Sequence, residues 1–187
     1  MSAIGKTAAV AITVVAVILV VATPYFTGVL GSTGNGTLDL KVHDAPCTDC
    51  THVWVTFSSV AIHESNSSNA NGSWVTTPTS GTLDLMALNG SAMAKTIGLL
   101  SLKAGHYQQV RLTVQNVTVE LVGGMIVQAT VHGPTANLDQ SFTIGAGATT
   151  TLNIDVDLAS SVHVFEVGGQ ATATFTPNIG SVIVTGG

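Results

Sequence analysis

The densest group of reactive side chains is the segment HDAPCTDCTH at residues 43–52. Its cysteines, Cys47 and Cys50, are the only two in the sequence. In an oxidising compartment they predict a local disulfide, whose small ring would stabilise the fold modestly. With His43 and His52 beside them, they also offer two thiolates and two imidazoles, a donor set that suits zinc or copper. The segment therefore predicts a disulfide or a metal site. A redox-active dithiol is disfavoured because it needs a helix N-terminus to lower a cysteine pKa.

Other carboxylates and histidines form weaker patterns. Asp155 and Asp157 alternate with apolar residues and so share one face of a predicted strand. Paired carboxylates bind calcium or act as acid and base, but this alternation is more typical of the solvent face of an edge strand. Asp44 is interpreted as a turn residue before Pro46. The remaining histidines lack metal-ligand spacing; they are His63, His106, His132 and His163.

The sequence contains no nucleophile elbow, zinc-protease motif or phosphate-binding loop. We therefore expect no enzymatic activity and no cofactor. Trp54 and Trp74 are candidates for stacking on a sugar, although we expect the core to take at least one of them.

These residues must be positioned by strands, because nearly every segment after residue 36 alternates apolar and polar residues. Leu38, Leu40 and Val42 share a face of the first strand. In the second, Val53 and Val55 do so, followed by Phe57, Val60 and Ile62. We predict an all-β fold, a β-sandwich of roughly ten short strands over residues 37–185, with a closed barrel as the alternative. Further strands are predicted at residues 81–88, 107–114, 117–122, 125–131, 142–144, 150–158, 162–167, 171–175 and 181–184, with helical turns within 92–100 and a hairpin turn at 123–124.

The N-terminal segment, residues 1–30, is predicted to be a signal peptide or a membrane anchor. Residues 7–23 carry no charge, and the apolar character continues to residue 30. One hydrophobic helix over residues 7–30 is long enough to cross a bilayer, and residues 20–22 also suit signal-peptide cleavage. Residues 31–36, GSTGNG, are predicted to be a flexible hinge.

Export is also indicated by five Asn residues in N-x-S/T sequons, which are glycosylated only outside the cytoplasm. The candidate glycosylation sites are Asn35, Asn66, Asn71, Asn89 and Asn116. The chain has a net charge of -5, with five Lys and Arg against ten Asp and Glu. Because this charge repels a phosphate backbone, we expect no nucleic-acid partner. We predict an extracytoplasmic location, membrane-anchored or secreted.

Four motifs recur in order along the exported part. They are GTL at residues 36–38, DAP at 44–46, AG-x-Y-x-Q-x-RL at 104–112 and TTTL-x-x-D-x-D at 149–157. In this series the chain resembles a family of bacterial and archaeal exported domains of unknown function. The resemblance implies a prealbumin-like or immunoglobulin-like sandwich on surface proteins, and it implies no catalytic residues. Unlike the bacterial lipoproteins of that family, this chain has no lipobox cysteine near its N-terminal segment.

The leading functional hypothesis is a structural or adhesive surface protein, including a subunit of a filament or envelope layer. Self-association would follow if residues 25–36 of one copy completed the sheet of another. A pilin-like protein with a helical filament core is an alternative. A carbohydrate- or metal-binding module is the alternative from a different class.

Overall fold

The structure is a computed structural model that describes residues 34–65 and 72–187. Within these residues the chain forms twelve strands, one single-turn helix, α1 (Leu158–Ser161), and two 3-10 turns, Leu85–Leu88 and Ser91–Met93. The strands are β1 (Asn35–Ala45), β2 (Cys50–Glu64), β3 (Ser73–Asp84), β4 (Lys95–Lys103), β5 (Gly105–Leu121), β6 (Ile126–Val131), β7 (Thr135–Leu138), β8 (Phe142–Ile144), β9 (Thr149–Asp157), β10 (Val162–Val167), β11 (Gln170–Phe175) and β12 (Ile179–Gly186).

These strands form two sheets. The small sheet has the order β12-β9-β1-β4, in which β1 and β9 are parallel and the other pairs antiparallel. The large sheet has the order β10-β11-β6-β5-β2-β3, and β7 and β8 also pair with the long strand β5. Within it, β6 and β11 are parallel. The predicted all-β fold is confirmed.

Inward-facing residues of both sheets form one buried cluster. On β1, Leu38, Leu40 and Val42 are all 0% exposed, and on β2 the inward residues Val53 and Val55 are equally buried. The two apolar faces that the alternation predicted are therefore confirmed, because side chains two residues apart lie on the same side of a strand. Two sheets over one core form the arrangement of a β-sandwich. Full burial of each aliphatic side chain stabilises the fold by roughly 1.5–3 kcal/mol.

One end of this arrangement, which we call the base, contains the start of β1 and the end of β12. Asn35, the first residue of β1, lies opposite Lys103, the last residue of β4. Gly186 of β12 lies opposite Thr150 of β9 at the same end. The first described residues of the chain, Gly34 and Asn35, therefore lie at the base.

The opposite end, which we call the distal end, carries the loop from β1 to β2 and two hairpin turns. Cys50 at the start of β2 lies opposite Leu121 at the end of β5, so the β1–β2 loop adjoins the β5–β6 turn. Since β6 and β11 are parallel neighbours, the turns that precede them lie at the same end of the large sheet. Three connections thus meet at the distal end.

Several predicted element boundaries are wrong. The strand predicted at residues 81–88 ends at Asp84, and the 3-10 turn that follows places Leu85 in the core at 0% exposure. The helical turns predicted within 92–100 are limited to Ser91–Met93, after which the chain forms β4. Residues 107–114 and 117–122 belong to one strand, β5, because a bulge opposite Thr56 and Phe57 absorbs an extra residue.

The start of the domain also differs from the prediction. Asn35 and Gly36, assigned to the hinge, pair with Lys103 and Leu102 in the small sheet. A Cβ atom on Gly36 would lie 2.2 Å from the carbonyl oxygen of Gly145, so this glycine is required by a close backbone approach. The two residues are therefore not free to act in a hinge or as part of a donor strand.

The remaining N-terminal predictions, the segment 1–30 with its helix and the hinge residues 31–33, lie outside the described residues. Among residues 34–65 and 72–187, no helix has the length and apolar character needed to cross a membrane.

Candidate functional site

The distal loop between β1 and β2 is closed by a disulfide between Cys47 and Cys50, whose Cα atoms are 5.5 Å apart. Both cysteine side chains are buried, and the carbonyl of Asp49 accepts a hydrogen bond of 3.0 Å from the N–H of Val122 in the β5–β6 turn. The disulfide predicted from the sequence is confirmed. The disulfide closes the loop, and the hydrogen bond between Asp49 and Val122 holds it against the neighbouring hairpin.

The structure does not bring the four predicted metal ligands together. Cys47 and Cys50 have no free thiol, because both are in the disulfide. His43 is buried and its Nδ1 lies 3.0 Å from Oδ1 of Asn153, whereas His52 pairs with Asp84. Within the described part of the chain, no three His, Cys, Asp or Glu side chains are arranged to hold a metal ion.

On the outer face of the large sheet, His52 forms a group with Asp84 and Trp54. The Nδ1 atom of His52 lies 2.5 Å from Oδ2 of Asp84, and Oδ1 of Asp84 accepts a hydrogen bond from the N–H of Val53. The rings of His52 and Trp54 stack at 5.1 Å between centroids and 11° between planes. The hydrogen bond to Asp84 raises the pKa of His52, because the carboxylate stabilises the imidazolium.

We predict that Asp84→Asn lowers the pKa of His52, because an amide does not stabilise the imidazolium as a carboxylate does. Folding is favoured by this pair below the unfolded-state pKa of histidine, and that contribution is lost as pH rises through the raised folded-state pKa. A pH titration of the histidine ring signals by NMR measures the change. Asp139→Asn changes an exposed carboxylate that accepts a hydrogen bond from Gln109, and as the control it should leave the His52 curve unchanged. An unchanged His52 curve in the variant would contradict the pairing.

A second aromatic group lies on the same outer face, nearer the base. The guanidinium carbon of Arg111 is 3.8 Å from the centre of the Trp74 ring, a cation–π contact. The ring of His63 lies 4.8 Å from that of Trp74 between centroids. Neither tryptophan is part of the buried core, so the expectation that the core takes at least one is wrong. The side chains of Trp54 and Trp74 are both partly exposed to solvent.

The sequence assigned Asp44 to a turn, but its side chain is buried. It continues the inward face of β1 beyond Val42, is 2% exposed, and its carboxylate accepts no hydrogen bond within the described structure. Burial raises its pKa to about 7. The nearby backbone N–H of Leu158 lowers the pKa of Asp44, although it is not in hydrogen-bonding geometry with the carboxylate. The negative charges of Asp155 and Asp157 raise this pKa further.

Asp155 and Asp157 do not lie on an edge strand, because β9 is flanked by β12 and β1. Asp157 precedes α1 and accepts hydrogen bonds from the N–H of Ser160 at 3.0 Å and from its hydroxyl at 2.6 Å. These hydrogen bonds lower the pKa of Asp157. Oδ1 of Asp155 is buried without a partner in the described residues. One aspartate of the motif is thus a helix cap and the other is partly enclosed.

The predicted glycosylation sites are placed differently. Asn35, Asn89 and Asn116 are exposed. Asn35 donates to the hydroxyl of Ser101, and the amide oxygen of Asn116 accepts from Gln128. Asn66 and Asn71 lie outside the described residues.

The two distal hairpins expose five large apolar side chains, which we call the distal patch. Its members are Val122, Met125 and Ile126 from the β5–β6 hairpin and Phe165 and Val167 from the β10–β11 hairpin, with exposures from 46% to 69%. Apolar side chains grouped in this way mark contact sites more often than isolated ones do.

Acidic residues border the distal patch. Glu120 lies opposite Ile126, and Asp49 adjoins Val122. Glu166 lies between Phe165 and Val167 in sequence, with its side chain on the opposite face of β10. None of the five Lys and Arg residues lies in the disulfide loop or in the turn of either hairpin.

The fold and these features define a small all-β domain with a disulfide-closed loop. The chain belongs to the family described as Domain of unknown function (DUF4382), whose family model matches residues 35–177. This match covers β1 to β11. No curated protein and no solved structure matches the chain.

Proposed function

We propose that this chain is a cell-surface or secreted structural or adhesive protein, exported by residues 7–30 and making its contacts with the distal end. The observation that carries the proposal is the polarity of the domain. Asn35, the first residue of β1, lies at the base, and the two hairpins expose five large apolar side chains at the other end.

An extracytoplasmic location is supported by the disulfide, because such bonds persist in oxidising compartments and are rare in the cytosol. The sequons and the uncharged N-terminal segment agree with it. The resemblance to exported surface domains agrees as well.

The chemistry of the distal end points to a protein partner with apolar side chains flanked by cations. The distal patch supplies the apolar surface, and Glu120 and Asp49 supply negative charge beside it. Complementary charges at the rim of an interface favour encounter and exclude partners of like charge. The same acidic border opposes docking on an anionic lipid surface.

Carbohydrate binding is the second candidate function, and it is favoured by the position of both tryptophans on the outer face of the large sheet. Beside Trp54 the sheet presents Thr118 and Gln128, whose side chains hydrogen-bond to each other at 3.3 Å. An aromatic ring among fixed polar groups suits the apolar face and the hydroxyls of a sugar.

Self-association by strand exchange remains part of the proposal, with a shorter donor segment. The donor can extend only over residues 25–34, because Asn35 and Gly36 are already paired within β1. The pilin-like alternative depends on how residues 7–30 are processed.

The test combines surface exposure with the mature N-terminus. Protease treatment of intact cells should release the domain, and a domain that resists unless the cells are broken would overturn the proposal. Sequencing of the mature protein then separates its forms. A start at Thr7 supports the pilin-like form, a start at Thr23 or later a secreted domain, and an intact terminus a permanent anchor.

Substitutions in the distal patch test whether it makes the proposed contact. Ile126→Glu with Phe165→Glu should abolish the in-cell cross-links that the full chain forms with its partner. Leu99→Glu alters an equally exposed apolar residue on β4 and should leave them unchanged. Loss of the cross-links in the control alone would contradict a contact at the distal patch.

A further inference from the structure

The edge of the small sheet formed by β12 is open. Its inward residues, Val182 and Val184, pack against the core but stay partly exposed, whereas Leu152 and Ile154 on the neighbouring strand β9 are both 0% exposed. The outward residue Ile183 is 48% exposed. Within the described residues, the backbone of 181–185 pairs with β9 on one side only. The outer side therefore presents peptide groups that are free to pair with another strand.

The strands β7 and β8 pair with β5 on one side only and are four and three residues long, which limits pairing with another chain. The three longer edge strands besides β12 carry features that oppose pairing. β3 contains Pro78, which cannot donate a ladder hydrogen bond. β4 has Lys95 and Lys103 at its ends, and the hydroxyl of Thr79 already donates to the carbonyl of Ile97 at 2.9 Å. β10 contains Glu166. By contrast, β12 has the sequence IGSVIVTG, with no charge and no proline and with β-branched residues through its centre. Natural edge strands are normally protected by such charges or prolines, so their absence marks β12 for pairing.

We propose that two copies of this chain associate through β12, as antiparallel neighbours that join their small sheets into one continuous sheet. The register is set by the faces of the strand. Directly opposed residues in an antiparallel pair lie on the same face, so a two-fold axis through Ile183 places Val182 of each copy opposite Val184 of the other. This register covers the half-exposed inward valines of both copies and brings the two Ile183 side chains together. A shift by one residue would place inward residues opposite outward ones.

This proposal deepens the self-association part of the proposed function, and it uses no donor segment. It can fail while the domain is still found on the cell surface, because protease accessibility and the mature N-terminus do not depend on β12. The two failures are therefore distinguishable.

Site-specific cross-linking of the full chain in detergent micelles tests the register. The protein has no free cysteine within its described residues, and its only two cysteines form the disulfide. Ile183→Cys introduces one thiol, and opposed Cβ atoms in an antiparallel pair are about 5 Å apart. A short bis-maleimide, which adds one thiol at each end, should convert most of this variant to a covalent dimer. Leu99→Cys, an exposed position on the protected edge β4, is the matched control and should stay largely monomeric. Equal cross-linking of the two variants would overturn the proposal.

A charge variant provides the second measurement. Ile183→Lys places two like charges opposite each other and should weaken dimerisation at least tenfold, measured by sedimentation equilibrium of the full chain in micelles. The Leu99→Lys variant should show the same average molecular mass as the wild-type protein at each concentration. Circular dichroism of both variants must show the wild-type strand content, which separates loss of pairing from loss of folding. A wild-type chain that is monomeric throughout, or an Ile183→Lys variant that stays dimeric, would refute pairing through β12.

Discussion

Gly36→Ala should destabilise the domain by about 3 kcal/mol or more, the upper part of the range for overpacking in a closed core. A Cβ atom at this position would lie 2.2 Å from the carbonyl oxygen of Gly145 and 2.9 Å from that of Ala148. Both are backbone atoms, so relief requires the β8–β9 connection to move away from β1. Thermal unfolding of the full chain followed by circular dichroism measures the loss.

Gly81→Ala is the matched control, because the sequence GTLDL occurs twice, at residues 36–40 and 81–85. A Cβ atom on Gly81 meets nothing within 4 Å. This substitution should leave stability nearly unchanged or raise it slightly, since alanine is less flexible than glycine in the unfolded chain. If both substitutions have the same small effect, Gly36 lies in the flexible hinge that the sequence predicts and not in β1.

The contrast between the two GTLDL sequences shows what local patterns can and cannot predict. Alternation identified the buried faces of β1 and β2 correctly, because period two depends only on neighbouring residues. The partner of each strand is not encoded locally. Gly36 belongs to a strand because β4 and β9 pair with it from more than sixty residues away, at Leu102 and near Thr149.

The candidate site was predictable to a similar extent. Cys47 and Cys50 indicated a disulfide because they are close in sequence. The outward position of Trp54 was also visible, since it lies between the inward residues Val53 and Val55. The distal patch was not predictable, because the parallel pairing of β6 with β11 is what brings the two hairpins together. Asp44 was assigned to a turn from its Asp-Ala-Pro context, but pairing with β9 extends β1 to Ala45 and carries Asp44 into the interior.

Asp44→Asn should remove most of the pH dependence of stability between about pH 4 and pH 7. The pKa of Asp44 is raised from 3.8 to about 7 in the folded protein. The folded state therefore keeps its proton over a range in which the unfolded state has lost it. A raised carboxyl pKa favours folding below the unfolded value, and this contribution is lost as pH rises toward 7, by up to about 1.4 kcal/mol per pH unit. The asparagine variant has no such proton and should be more stable than wild type above pH 7.

The measurement is the difference in unfolding free energy between wild type and variant at a series of pH values, with the full chain in micelles and urea as denaturant. Taking the difference removes the other titrating groups, including Asp157, whose lowered pKa acts below pH 4, and His52, which is present in both proteins. Asp139→Asn changes an exposed carboxylate and should give a flat difference across the same range. A flat difference for Asp44→Asn as well would mean that the carboxylate is solvated or paired with a cation in solution. A difference that falls toward pH 7 requires Asp44 to be buried without a partner, so the end of β1 must be held in the core by β9.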